Sequence, residues 1–366
     1  MENPFNQRFG IQPTVLLDRQ TIFDQLVANI RKLNTPYRTT LIDGARGTGK
    51  TVFMNAVGRK ISGDRDWVSI HLPIGDNMLG RLVSLLYSKS TSTIQKLLDN
   101  ISGINFSIGG FALNYSTNHR EVTSYQELLE KILKIMEDQH QYALVMIDEA
   151  KETKAMVELI STYQVLIAEN LPISLIMTGL PKNVQELQKN HVLTFLLRSG
   201  RVSLSPLNIY DIQAQYRKSL VKRDSQISPA IIHRMAFLAD GYAYAFQLLG
   251  YLVWESADEH ITDQTIDEII PDYQALLSRN AYSKMFEELS PTDQQFIITM
   301  AQAKDDPVPT AYLSAKLHKP AGYIGVYRRR LIDSQIIAPA GYGKLRFALP
   351  LFKQFVIDDG QYFAGV

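Results

Sequence analysis

The residues Gly44-Ala45-Arg46-Gly47-Thr48-Gly49-Lys50-Thr51 carry the densest chemistry in the chain. They fit the pattern G-x-x-x-x-G-K-[ST] in full. Glycines at these positions let backbone N–H groups converge on phosphate oxygens with no Cβ in the way. Lys50 would set a positive charge beside β and γ phosphates, and the Thr51 hydroxyl is suited to ligate Mg²⁺. A helix beginning here would aim the positive end of its dipole at the same phosphates, with Val52 in its first turn. Arg46, at a position the pattern leaves open, is expected to face solvent.

A second constellation lies about a hundred residues on. Tyr142-Ala143-Leu144-Val145-Met146-Ile147 is a continuous apolar run ending in Asp148-Glu149. Asp148 suits the water shell of Mg²⁺, and Glu149 suits a general base that polarises an attacking water. Thr178 ends the next apolar run, Ile173–Thr178, where a hydroxyl can touch a γ-phosphate or that water; the alternative is a strand-end threonine bonded to backbone. Arg198 and Arg201 follow in Leu196-Leu197-Arg198-Ser199-Gly200-Arg201-Val202. Either could stabilise transition-state charge across a subunit contact, or sit in a surface salt bridge worth little.

The elements that must position these groups alternate. Arg38–Asp43 leans to a strand and runs into the glycine loop, and Val52–Lys60 reads as a helix. Trp67–Leu72 reads as a strand and Met78–Ser88 as a helix. Apolar runs at Tyr142–Ile147 and Ile173–Thr178 are what buried parallel strands require. The alternation predicts an α/β fold, a parallel sheet with helices on both faces. Ile104–Ile108 and Phe111–Tyr115 flank Gly109-Gly110 and read as a β-hairpin inserted beside that sheet. From about Asn208 to Glu288 the chain is helical, and Ile231, Met235, Leu238, Phe246, Leu249 and Val253 form an apolar set suited to helices packed behind the sheet. Ser290-Pro291-Thr292-Asp293 marks a new helix start. Helices at Gln294–Ala303, Thr310–Leu317 and Ala321–Ser334 follow, then a Gly-Tyr-Gly turn between Ile336–Pro339 and Lys344–Leu349, the pattern of a winged helix.

Composition narrows the classes. The chain has 366 residues, 45% hydrophobic and 20% charged, with a net charge of +1. That is ordinary for a globular protein of two or three domains, and it gives no global field toward nucleic acid or membrane. With no cysteine, disulfides, cysteine metal sites and thiol nucleophiles are excluded. No apolar stretch reaches the roughly 18 residues of a membrane span, and the first residues lack the core of a signal peptide, so a cytoplasmic protein is expected.

Taken in order, these motifs resemble the AAA+ P-loop ATPases near the origin-recognition branch. Asp240-Gly241-Tyr242-Ala243-Tyr244-Ala245-Phe246-Gln247 is similar to that family's Gly-Tyr-Pro-x-x-x-Gln lid segment, and Leu349-Pro350-Leu351-Phe352 resembles the Val-Pro-Leu-Phe that closes its winged domain. Gln12-Pro13 and Leu17-Asp18-Arg19 resemble the segment that cups adenine. The resemblance implies a three-layer αβα sheet domain over 1–207, a helical lid over 208–288 and a winged helix over 289–366. It also implies ATP or ADP with Mg²⁺ as ligands, and ATP-dependent homo-oligomers. Tyr244 departs from the family: it stands where replicative members carry a lid arginine, so turnover is expected to be slow.

Arg328-Arg329-Arg330 on the third helix of the winged-helix segment, with Lys344 and Arg346 on its wing, would suit double-stranded DNA. Successive helical residues point about 100° apart, so the three arginines cannot face DNA together, and one is expected to pair with a carboxylate such as Asp333. Tyr323 and Tyr327 are expected to be core or half-buried. Two functions fit: an ATPase acting on DNA, or a nucleotide-dependent switch like the STAND regulators acting on a protein partner.

Overall fold

In the computed structural model the described residues are 2–5, 19–92, 95–96, 104–105, 114–115, 125–256 and 259–360. Gln12, Pro13, Leu17, Asp18 and the Gly109-Gly110 turn lie outside them. The chain divides into two compact units, one of residues 21–43 and 53–203, the other of 1–20, 44–52 and 204–366.

The first unit is built on a sheet of β1 (Thr39–Asp43), β2 (Trp67–His71), β5 (Tyr142–Ile147), β6 (Ile173–Gly179) and β7 (Gly200–Ser203). The short strands β3 (Ile104–Asn105) and β4 (Asn114–Tyr115), at the outer ends of the expected hairpin, pair antiparallel in a separate two-stranded sheet. The five-stranded order is β2-β5-β6-β1-β7, parallel throughout. Parallel strands covered on both faces need apolar residues at nearly every position, which explains the unbroken runs of β5 and β6. Alternate residues take opposite faces. Leu41, Ile70, Val145, Ile147, Leu175 and Met177 join one core cluster with the helices Met78–Lys89, Tyr125–Asp138, Lys154–Ala168 and Pro181–Lys189. Ile42, Leu144, Met146 and Ile176, also buried, point the other way. On that side Phe23 meets Phe53 edge to face at 6.2 Å, and Gly58 leaves room for the Met146 thioether. β7 has no counterpart among the expected strands, because four residues are too short to show a period.

The second unit has one continuous apolar core, from Leu207 through the helices Ile209–Leu220, Pro229–Ala239, Ala243–Glu255 and Asp263–Leu277 to Val356. Of the expected apolar set, Ile231, Met235, Phe246, Leu249 and Val253 are buried, and Leu238 packs against them half-buried. Ser290 caps the next helix, Pro291–Ala301, by accepting the Asp293 N–H, with Pro291 in the first turn as predicted. Helices Thr310–Leu317 and Ala321–Asp333 follow, with β8 (Val308–Pro309), β9 (Ile337–Pro339) and β10 (Lys344–Phe347) forming an antiparallel sheet in the order β8-β10-β9. Tyr282 knits the C-terminal segment into the helical core: its ring lies 5.0 Å from Phe352, and its buried hydroxyl donates to the Pro350 carbonyl. Among the described residues no helix is long and apolar enough to cross a membrane.

Candidate nucleotide site

In the sheet unit the polar groups gather at the carboxyl ends of the strands, the edge where open α/β sheets bind ligands. Asp148 directly follows β5, and the Thr178 hydroxyl, fully buried on β6, donates to Asp148 Oδ1. The Glu149 N–H donates to Asp148 Oδ1 at 3.0 Å and to Thr178 Oγ1 at 3.2 Å, and the Ala150 N–H to the Thr178 carbonyl at 2.7 Å. This network fixes a strained turn. Glu149 has φ +54°, a left-handed conformation that costs a non-glycine residue about 1 kcal/mol or more and persists only where its surroundings over-determine it. Thr178 therefore holds the acidic pair in shape from near the end of β6. His71, ending β2, was not singled out in the sequence. Burial pushes its imidazole pKa down, as do the cations Lys89 and Arg59, while Asp148 pulls it up.

Asp43 ends β1 and is buried, and Arg201 on β7 bonds its Oδ2 through Nε at 2.5 Å. A buried carboxylate left without its cation is strongly destabilising, so Arg201 has a structural duty within its own chain. Arg198, at the end of the 3₁₀ turn Thr194–Arg198, is exposed and makes no ion pair among the described residues.

In the helical unit, Gly47 (φ +77°) and Gly49 (φ +87°) give the glycine loop its left-handed turns. At Gly47 a Cβ would also stand 2.1 Å from the Tyr242 hydroxyl. Lys50 opens the helix Lys50–Ser62, and its Nζ donates to the carbonyls of Gly44 at 2.9 Å and Ala45 at 2.7 Å. The charge thus lies against the carbonyls of the glycine loop. The Thr48 hydroxyl donates to the Ala45 carbonyl at 2.9 Å. Left-handed glycines, a lysine and a helix start together fit a polyphosphate.

Residues far along the chain touch this loop. The Ala45 N–H reaches Gln335 Oε1 at 3.4 Å, and Tyr244 donates its N–H to the Gly47 carbonyl at 3.2 Å. Arg46 does not face solvent as expected: its guanidinium pairs with Glu288 at 2.9 Å, and its side chain is only 29% exposed. The loop has packed neighbours there, which the open position in the motif could not reveal. Tyr242 has an unpartnered hydroxyl and lines a small cavity with Ala45, Thr48 and Gln335; burial pushes its phenol pKa well up, with Tyr244 adding to the rise and Arg46 opposing it. Tyr244 also accepts an Asn280 side-chain bond on its hydroxyl at 3.0 Å.

The arginines of the C-terminal helix divide. Arg330 pairs with the buried Asp293, not with Asp333, donates to Ser290 at 3.1 Å and lies over the Tyr327 ring. Arg328 is half-buried, with Nε lacking a partner, and Arg346 pairs with Asp240 at 3.5 Å. Arg329 and Lys344 are exposed, as is Tyr342 at the hairpin tip. Tyr323 and Tyr327 are half-buried, as expected.

Two solved structures align over nearly their whole length. The Walker-type ATPase paby2304 of Pyrococcus abyssi matches with a TM-score of 0.65 and 15% identity, over 96% of this chain and 99% of that one. The Aeropyrum pernix ORC2 protein, in its ADPNP–ADP complexes, matches with a TM-score of 0.65 and 12% identity, over 98% and 97%. The fold is that of AAA+ P-loop proteins. Residues 279–356 also match a family described as a domain of unknown function, DUF8462. No curated protein matches the sequence.

Proposed function

We propose that this chain is an AAA+ ATPase that binds ATP and ADP and hydrolyses ATP slowly to drive or gate a conformational change. The observation that carries the reading is the glycine loop, with two left-handed glycines and Lys50 on a helix start, in a chain with this sheet order. Backbone N–H groups and Lys50 would hold the β and γ phosphates, and the helix dipole would add to both. Among the described residues no three His, Asp or Glu side chains converge as a metal site. Thr51 would offer its hydroxyl and Asp148 its carboxylate to Mg²⁺, alongside phosphate oxygens, and the ion would neutralise charge on the transferred phosphoryl. Glu149 would take the proton of the attacking water, from a turn that Thr178 keeps in place. The division into a sheet domain over 1–207, a lid over 208–288 and a winged helix over 289–366 belongs to the same proposal. Titration with a fluorescent ATP analogue in Mg²⁺ tests it; no saturable binding would refute it.

We infer that Arg198, rather than Arg201, acts across a contact between copies, because Arg201 is engaged by the buried Asp43. Mixing Arg198→Ala protein with Lys50→Ala protein should restore phosphate release at mixed contacts. Absence of rescue, with a monomer by light scattering under ATP, would remove the idea.

DNA binding through the winged helix is the next part of the proposal, and exposure supports Arg329 and Lys344 as its contacts. Weak, largely non-specific duplex binding is expected, on the order of 10⁻⁴–10⁻⁶ M at physiological salt. Arg329→Ala should reduce the salt slope by about one unit, and Arg330→Ala, whose cation serves Asp293, should leave it nearly unchanged. No salt-dependent shift of duplex in any nucleotide state would end the DNA reading. The second function, a nucleotide-dependent switch acting on a protein partner, is favoured by the Ala45–Gln335 and Arg46–Glu288 contacts, through which the C-terminal segment touches the phosphate loop directly.

A further inference from the structure

Arg19 is a charged side chain only 8% exposed, and burial of a guanidinium is costly unless its donors are satisfied. It stands against the phosphate loop. Nη1 donates to the Thr48 carbonyl at 2.6 Å and Nη2 to the Ser205 carbonyl at 3.1 Å. A Cβ added at Gly49 would come within 3.3 Å of Nη1, so the guanidinium lies flush with the backbone of the loop. The peptide joining Thr48 to Gly49 is planar and trans, so its C=O and N–H point in opposite directions. A cation that fixes the carbonyl on its own side therefore turns the Gly49 N–H to the other side. The Gly49 φ of +87° leaves this peptide able to rotate in a way a larger residue would resist, so something must hold it.

We propose that Arg19 is a positioning residue for polyphosphate binding: its two-carbonyl clamp on Thr48 and Ser205 presents the Gly49 N–H to the β-phosphate of a bound nucleotide. The proposal rests on the loop being a nucleotide site. The planar fork matters as well as the charge, since one guanidinium uses two separate nitrogens to bridge carbonyls from segments far apart in sequence, which a single ammonium does not reproduce. Arg19 touches no phosphate in this role. It acts through the orientation of a peptide, so its loss should weaken ligands in proportion to their use of that N–H.

The test compares wild-type protein with Arg19→Lys and Arg19→Ala, titrating ADP, ATP and AMP in Mg²⁺ by calorimetry, with urea unfolding of each variant measured alongside. Both variants should bind ADP and ATP about tenfold or more weakly, the effect of losing one hydrogen bond to a charged group, while AMP, which has no β-phosphate, changes less than about twofold. If Arg19→Ala fails to fold, Arg19→Lys carries the comparison, because it keeps the cation and most of the volume. Wild-type affinity for ADP in Arg19→Lys would overturn the clamp and leave only a charge effect. An equal loss for AMP and ADP would overturn it too, marking a general structural role. Wild-type protein that binds none of the three would instead refute the nucleotide reading itself.

Discussion

The Glu149→Gln protein should bind ATP with near wild-type affinity and release phosphate about 10²–10⁴ times more slowly. The amide is almost isosteric with the carboxylate, and the bonds that shape this turn use the Glu149 backbone N–H, not its side chain. The geometry therefore survives while the proton acceptor is lost. Steady-state phosphate release, with nucleotide affinity measured on the same preparation, decides the matter. A variant that turns over at the wild-type rate removes Glu149 from the mechanism. One that loses ATP affinity as well shows that the turn itself was disturbed.

Lys50→Ala should lose nucleotide affinity by a factor of about 10–150, the worth of a hydrogen bond to a charged group, while its fold is retained. The side chain donates to the Gly44 and Ala45 carbonyls, while the left-handed turns of the loop lie at Gly47 and Gly49, outside those two bonds. The cradle should remain and its charge be missing. Titration of the fluorescent ATP analogue reads the effect directly, and unchanged affinity would mean that the loop is not the site. The Glu149 and Lys50 variants separate two functions: one should retain ligand without chemistry, the other should lose the ligand.

Much of this was legible because it is local. The glycine loop, the Asp-Glu pair and the strand-end threonine are runs of neighbouring residues whose spacing alone states their chemistry. Core strands showed as unbroken apolar runs, and Ser290-Pro291 announced its helix because a cap bonds within three residues. β7 was missed because four residues carry too little pattern, and with it went the reason for Arg201. It is β7 that places this arginine beside β1, where it meets Asp43 from 158 residues away.

Arg46 and the triple arginine show the same division. The motif leaves position 46 open, and nothing nearby in sequence says that Glu288 will meet it. On the C-terminal helix the 100° step told in advance that the arginines must diverge, but the carboxylate that claims Arg330 is Asp293, on another helix, and not the near neighbour Asp333. Arg19 is the extreme case: its partners are backbone carbonyls at Thr48 and Ser205, which no side-chain pattern can advertise. The sequence by itself determined the chemical inventory, the alternation of strand and helix, and the loop built for phosphate, since each depends on residues within one or two turns of each other. Only the tertiary structure decided which charges are already spent inside the protein and which stay exposed, because ion pairs and clamps form between surfaces that the chain brings together over tens to hundreds of residues.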